Sequence, residues 1–325
     1  MKILLSLYVA LCTAACTEST APDSTLAVTH QASIEQIVSS AKRIPTRSGW
    51  FEVLRLPNEV YAFWEPGHEE KVNSYLILGS DFDLLYDTGM GIANIREAIV
   101  DVRDVEGLPQ RPIKVVNSHN HLDHNGGNKA FDEVWTINDP WGIKRLTTGV
   151  PEGEAGGFVG YWDQLTPHKG VEPPAGFSPN TYLIPPYPLD QIRFLEEGQS
   201  IDLGNRRFHV IRTYSHSPDG IALYDQDSGM FFGGDAFYGA QYLITNIQLL
   251  VADLERIQEL HIDWHYSSHG PQLVTAMQQG LHLATVNRMI AGEGETKTTS
   301  FAGFPLPLQE LDGVSVTIAK DILLY

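Results

Sequence analysis

The chain has 325 residues, 42% hydrophobic and 19% charged, enough for one large or two medium domains with a sizeable core in the composition range of soluble globular proteins. Its formal net charge of −18 argues against nucleic acid as a partner, because phosphates call for a basic surface. The same charge argues against a tight site for highly anionic substrates, unless a metal centre reverses the field locally.

The chain opens with Lys2, a short apolar stretch from Ile3 to Leu11, and Cys12-Thr13-Ala14-Ala15-Cys16. That stretch is too short to span a bilayer and suits a secretory signal over residues 1–16. The small residues before Cys16 resemble a bacterial lipoprotein cleavage box, with Thr13 where leucine is usual. The expectation is an envelope protein on the periplasmic side, touching the membrane only through a lipid anchor on Cys16; ordinary cleavage near Ala15 would make it a secreted protein. No cysteine follows Cys16, so the body has no thiol for a disulfide or a metal. Residues 17–48, rich in Ser, Thr and Ala, read as a tether with one short amphipathic helix near Ser33–Lys42.

The domain is expected from residue 49 to 325. Phe51–Leu56 and Val60–Trp64, separated by Pro57-Asn58, form a hairpin, and Asn73–Leu78 with Phe82–Tyr86 form a second one ending at Asp87-Thr88-Gly89. A helix is expected from Ile92 to about Val102, then a buried strand at Ile113–Val116, then His119-Asn120-His121-Leu122-Asp123-His124. Two histidines spaced by two at a strand end project to one side. Asp123 and His124 reach the same space from another direction, and a helix can begin at Gly126-Gly127. Three imidazoles and a carboxylate on one short loop would repel unless a cation sat between them, and zinc takes these donors readily. A strand at Phe131–Trp135 follows.

Residues 139–190 hold nine prolines, eight glycines and seven aromatics and read as an insertion that could close over the site. The order of elements then recurs: strands at Arg206–Thr213, Ile221–Tyr224 and Met230–Gly233, a helix at Ile247–Leu260, a strand at Asp263–Ser267, and a long helix at Pro271–Ile290. Two β-rich halves, each followed by helices, suggest two sheets packed face to face with helices outside. His216, Asp235 and His269 each stand just past a strand in a Gly- or Pro-flanked turn, where they could complete metal shells that one loop cannot.

In that order, Asp87, the hexapeptide, His216, Asp235 and His269 resemble the five motifs of the metallo-β-lactamase-fold hydrolases, over about residues 50–290. The resemblance implies an α/β protein, a four-layered αββα sandwich. It implies two zinc ions, with iron or manganese as alternatives: one held by His119, His121 and His216, the other by Asp123, His124 and His269, with Asp235 between them. Asp87 would hold the ligand loop rather than a metal. An aspartate at 235 resembles glyoxalase II, acyl thioesterases and N-acyl-homoserine-lactone lactonases rather than the lactamases proper. Ser217–Tyr224 with the later Gly-Gly-Asp is similar to the thioesterase-like members, including the mammalian acyl-coenzyme A thioesterase branch.

The implied activity is hydrolysis of a small-molecule acyl ester, lactone or thioester by a hydroxide bridging two metals. Asp123 would steer a proton, and Tyr238 would stand beside the substrate carbonyl as a tyrosine does in the lactonases. The compartment and Tyr238 tilt the expectation toward a lactone. The alternatives are a β-lactamase-like amide hydrolase and, in another class, a non-catalytic zinc- or ligand-binding lipoprotein. His30, His68, His168, His209, His261, His265 and His282 are read as packing or surface residues.

Overall fold

The computed structural model describes residues 33–68, 70–150, 171–178, 182–274, 279–301 and 304–319. The expected signal, the lipid anchor at Cys16, the first half of the tether and the middle of the insertion lie outside these residues.

Eight strands form one sheet in chain order: β1 (Lys42–Ile44), β2 (Glu52–Leu56), β3 (Val60–Trp64), β4 (Asn73–Ile77), β5 (Asp83–Tyr86), β6 (Ile113–Val116), β7 (Val134–Ile137) and β8 (Ile192–Leu195). The run is antiparallel to β5 and parallel from β5 to β8. A second sheet joins β9 (Ser200–Asp202), β10 (Arg207–Thr213), β11 (Gly220–Asp225) and β12 (Met230–Phe232), skips β13 (Gln241–Ile244), and ends in β14 (Trp264–Tyr266) and β15 (Leu273–Val274). In a third sheet β13 pairs with the C-terminal strands β16 (Glu295–Phe301), β17 (Phe304–Leu311) and β18 (Val314–Ile318).

Strand alternation builds the layers, since successive side chains point to opposite faces. On β4 and β5, Leu76 and Leu85 face outward, where Ile95, Ala98, Ile99 and Val102 of helix Ile95–Glu106 cover them. Tyr75, Ile77, Leu84 and Tyr86 face inward and meet Phe208, Val210, Ile221, Leu223 and Phe232 of the second sheet. The far face of that sheet, with Ala222, Tyr224 and Phe231, is covered by Leu250, Leu254 and Ile257 of helix Ile247–Ile257, and by Val286 and Met289 of helix Gln279–Ile290. The αββα order expected from the sequence is present, with the third sheet added on the second helical side.

Several boundaries differ from expectation. The helix expected near Ser33–Lys42 is present over residues 33–40, but its Ile34 is in the core and β1, in the stretch expected as a tether, pairs with β2 of the first sheet. In the insertion, helix Pro140–Thr148 is capped by the Asp139 side chain, which accepts from the Trp141 N–H, and ends at Gly149 with φ 67°. Val150 bridges Ile184, and Tyr182, Ile184 and Tyr187 are buried. The expected long helix from Pro271 is helical only over Gln279–Ile290 among the described residues; Leu273 and Val274 pair with β14 instead.

Asp83 and Arg103 are both buried and meet at 2.7 Å, tying helix Ile95–Glu106 to β5. Among the described residues, removing Arg103 leaves the buried Asp83 carboxylate with only the longer ion pair to Arg111 at 3.8 Å. Arg103→Ala is expected to lower stability by about 3–5 kcal/mol, read as a lower urea midpoint.

Candidate metal centre

The strands that carry the expected ligands point the same way within each sheet. β5 and β6 run parallel, as do β12 and β14, and β10 is antiparallel to β11, which is antiparallel to β12. Their C-terminal ends therefore deliver Asp87, the hexapeptide, His216, Asp235 and His269 to one edge of the sandwich. The side chains converge as two groups, His119, His121 and His216, and Asp123, His124, Asp235 and His269, with the candidate donor atoms of each group within 4.8 Å of one another.

In the first group His121 Nδ1 lies 2.8 Å from His119 Nε2 and 3.0 Å from His216 Nε2. His216 Nδ1–H donates to the Leu243 carbonyl at 2.7 Å, and a carbonyl only accepts, so Nε2 faces inward bare. Burial, the neighbouring imidazoles and, for His121, Arg145 hold His119 and His121 well below the ordinary histidine range; burial also lowers His216. Three neutral rings thus aim nitrogen at one point.

The second group is built the same way. His124 Nδ1–H donates to Asp87 at 3.0 Å and His269 Nδ1–H to the Glu70 carbonyl at 2.6 Å. Their Nε2 atoms face carboxylates: His124 lies 3.2 Å from Asp123 and 3.3 Å from Asp235, His269 3.1 Å from Asp235 and 3.5 Å from Asp123. His124 Nε2 and Asp235 Oδ1 are buried and make no hydrogen bond despite this proximity. Orphaned lone pairs facing one another are what a divalent cation between them would satisfy. Burial opposes charge on both imidazoles, but the carboxylates more than reverse it, raising His124 well above its usual range and His269 to about 10. The imidazoles in turn hold Asp123 and Asp235 low against their burial. Without metal, protons occupy this group, so metal uptake competes with them.

Asp87 sits at φ 63°, accepts from the Ser118 N–H at 2.7 Å and from His124, and so pins the loop at both ends. The Tyr238 ring meets His269 edge-on at 5.7 Å. Burial, then Asp235 and Glu70, push its hydroxyl far above its ordinary range, which keeps it a phenol able to donate. The expected helix start at Gly126-Gly127 is displaced: helix Leu122–Asn125 begins inside the hexapeptide. Gly126 is needed instead for close approach, because a Cβ there would lie 2.2 Å from the Met90 carbonyl.

Four bracing residues were not anticipated. Asp219 accepts from the Asn120 backbone and side chain at 3.0 and 2.7 Å, between the candidate ligands His119 and His121, and burial lifts its carboxyl to about 6. Asp253 accepts from the Tyr214 and Ser215 N–H groups at 2.8 and 2.7 Å, fixing the loop of His216. Glu65 accepts from Trp50 Nε1 and the Met90 N–H, holding the loop after Asp87. Arg145 donates to the Asn120 carbonyl at 3.0 Å. Asp253 left a trace in the sequence: it stands on the apolar stripe Leu250, Leu254, Ile257, where a solvated charge does not belong.

The sequence model described as the metallo-beta-lactamase superfamily matches residues 69–272. Among curated proteins, acyl-coenzyme A thioesterase MBLAC2 of Gallus gallus is 28% identical over 206 residues, 61% of this chain and 70% of its own length. The Homo sapiens protein of that name is 27% identical over 212 residues, with the same coverage. Among solved structures, a beta-lactamase domain protein from Burkholderia ambifaria has TM-score 0.53 at 18% identity, over 84% of this chain and 96% of that one. The inverting sec-alkylsulfatase Pisa1 from Pseudomonas sp. has TM-score 0.55 at 14% identity, over 80% of this chain and 46% of that one. Likenesses this remote concern the fold.

Glu65 yields a test of the bracing. Burial raises its carboxyl from 4.5 to about 7. Between those values the folded protein keeps a proton that the unfolded chain has lost, so stability falls as pH rises through this window and the cost is constant above it. Glu65→Gln removes that dependence. Relative to wild type its Tm is expected to climb from pH 4.5 to 7 and then level off, by thermal melts across pH; parallel curves would contradict the buried-acid assignment.

Proposed function

This chain belongs to the metallo-beta-lactamase superfamily and is a hydrolase, and from that premise we propose that it cleaves a carboxylic thioester or ester with two divalent metal ions, zinc first among them. The observation that carries this is Asp235, whose carboxylate spans both side-chain groups: 3.5 Å from His216 in one, 3.1 and 3.3 Å from His269 and His124 in the other. His119, His121 and His216 would hold one ion, Asp123, His124 and His269 the second, with Asp235 shared. Imidazole and carboxylate suit zinc, and iron and manganese accept the same donors.

Such ions lower the pKa of water and polarise a carbonyl oxygen. Around them the chain positions and protects. His216, His124 and His269 keep their protons on the outward nitrogen, which fixes each ring. In hydrolysis the water oxygen ends on the acyl carbon, the carbon–sulfur or carbon–oxygen bond breaks, and a proton passes to the leaving atom. Asp123, whose carboxylate lies 3.2 Å from His124 and 3.5 Å from His269, would carry it. The Tyr238 phenol, whose ring lies against His269 and whose hydroxyl burial keeps protonated, would donate to the acyl oxygen as it gains charge.

The curated relatives named acyl-CoA thioesterases support an acyl–sulfur bond over the lactone that Tyr238 and the compartment favoured. The envelope address, with a lipid anchor on Cys16, remains part of the proposal. It would make the natural substrate an acyl compound other than a cytoplasmic one, and Cys16→Ala is expected to release the protein from membranes on fractionation.

Purified protein is expected to carry close to two metal ions per chain by elemental analysis; one or none overturns the dinuclear reading. A screen of thioesters, aryl esters, lactones and β-lactams should show chelator-sensitive, metal-restored turnover of the first two. Asp235→Ala should reduce turnover to background. Tyr238→Phe should lower kcat by on the order of 100-fold, and an unchanged kcat removes its role.

A further inference from the structure

Arg145 is a cation beside the metal centre that the hydrolytic step does not use. It stands on the last turn of helix Pro140–Thr148, and two contacts fix it. Its Nε donates at 3.0 Å to the Asn120 carbonyl, between His119 and His121. Its guanidinium carbon lies 4.8 Å from the centre of the Trp141 ring, and that ring meets the His121 imidazole at 5.5 Å. The helix comes this close because of Gly142, where a Cβ would stand 2.3 Å from the Asp219 carboxylate and 2.8 Å from the Asn120 amide.

Other arginines with mostly buried side chains have acidic partners: Arg103 has Asp83, Arg206 has Glu59 and Arg212 has Asp139. Arg145 has no carboxylate within 4 Å among the described residues, and its two terminal nitrogens donate to none of them. Asp219 and Asp123 support its charge from farther away, while burial works against it. Retaining a partly desolvated guanidinium without a carboxylate partner is costly. A planar fork laid on an aromatic ring is also the arrangement that receives a carboxylate or phosphate with two parallel hydrogen bonds.

We propose that the substrate carries an anionic group, a carboxylate or a phosphate, close to its scissile carbonyl, and that Arg145, backed by Trp141, is the residue that holds it. The inference rests on the hydrolase reading and narrows it to anion-bearing acyl compounds. The overall charge of −18 does not oppose it, because Arg145 acts over a few ångströms while distant surface charges are screened beyond about 8 Å at physiological salt.

The test is a matched pair of 4-nitrophenyl esters, the neutral pentanoate and the glutarate half-ester, which differ in a terminal carboxylate. Metal-loaded wild type is expected to favour the half-ester in kcat/KM by on the order of tenfold or more, mostly through KM, with the preference falling as salt rises. Arg145→Gln should remove the preference and Arg145→Lys should keep part of it, with metal content measured in each variant. An equal loss on both esters, or no preference in wild type, reduces Arg145 to a brace for Asn120 and overturns the proposal.

Calorimetric titration of metal-free wild type and Arg145→Gln with glutarate and with inorganic phosphate gives a readout independent of turnover. Binding by wild type alone supports the proposal, and the tighter ligand identifies the anion; equal binding by both proteins counts against it. Arg145-dependent binding without turnover of either ester would sink the hydrolase reading and leave the anion site standing. Turnover of both esters without preference would do the reverse.

Discussion

Which nitrogen of each imidazole carries its proton decides whether these loops can hold a metal. A neutral ring has one donor and one acceptor nitrogen, and only the bare one can bind a cation. His216, His269 and His124 are committed by outward acceptors, the Leu243 carbonyl, the Glu70 carbonyl and the Asp87 carboxylate. Once those bonds form, the inward nitrogens have no proton of their own to share, and they converge on carboxylates or on each other. Asp123 and Asp235 raise the pKa of both His124 and His269 against their burial, so a proton on either imidazole is held by these carboxylates. In the trio of His119, His121 and His216 the Asp235 carboxylate reaches His216 alone, at 3.5 Å, and burial keeps all three rings low, so the two halves of the site would differ in how strongly protons compete with a metal.

Those outward acceptors lie far from their histidines in the chain, and this explains why the domain needs its later elements. Leu243 lies on β13, an edge of the third sheet, paired residue by residue with β18. Asp253 reaches from helix Ile247–Ile257 to the backbone just before His216, and the Thr245 N–H donates to the Ser215 carbonyl at 2.7 Å. The C-terminal region is therefore a brace for His216, one of the candidate ligands, as well as a cover for the second sheet. On the other side Glu65 accepts from the Met90 N–H and Trp50 Nε1 and so fixes the loop after Asp87. Its raised pKa is the thermodynamic cost of using a carboxylate where two N–H donors must be satisfied and water cannot reach.

The candidate ligands were legible in the sequence because metal chemistry restricts residue type and spacing over a few positions, and because each of them follows a strand with clear alternation. His119 to His124, His216, Asp235 and His269 needed no knowledge of tertiary contacts to be singled out. The bracing residues act across long separations: Asp219 on Asn120, Asp253 on Ser215, Glu65 on Met90. Nothing local distinguishes them from solvated acids, except Asp253 on its apolar stripe. The third sheet was illegible for a different reason. β16, with sequence Glu295-Thr296-Lys297-Thr298-Thr299-Ser300-Phe301, is exposed over Glu295–Thr298, and β17 contains Pro305 and Pro307, so neither the alternation nor the composition of a half-buried strand is present.

Net charge, read from composition, pointed away from highly anionic substrates, and Arg145 points toward substrates that carry one anionic group. Both follow from the same electrostatics at different ranges. A surplus of 18 negative charges spread over a large surface sets a mean potential that salt attenuates within a Debye length. A guanidinium held by Nε on the Asn120 carbonyl and stacked on Trp141 keeps its orientation and sheds part of its hydration, so a partner meets it at short range in a medium that screens little. The surrounding acidity then acts as a filter: it weakens the approach of polyanions, which feel the whole surface, more than that of a compact monoanion. A site of this kind would select by the placement of one charge on the substrate, relative to the carbonyl it presents to the metal centre, and not by the amount of charge the substrate carries.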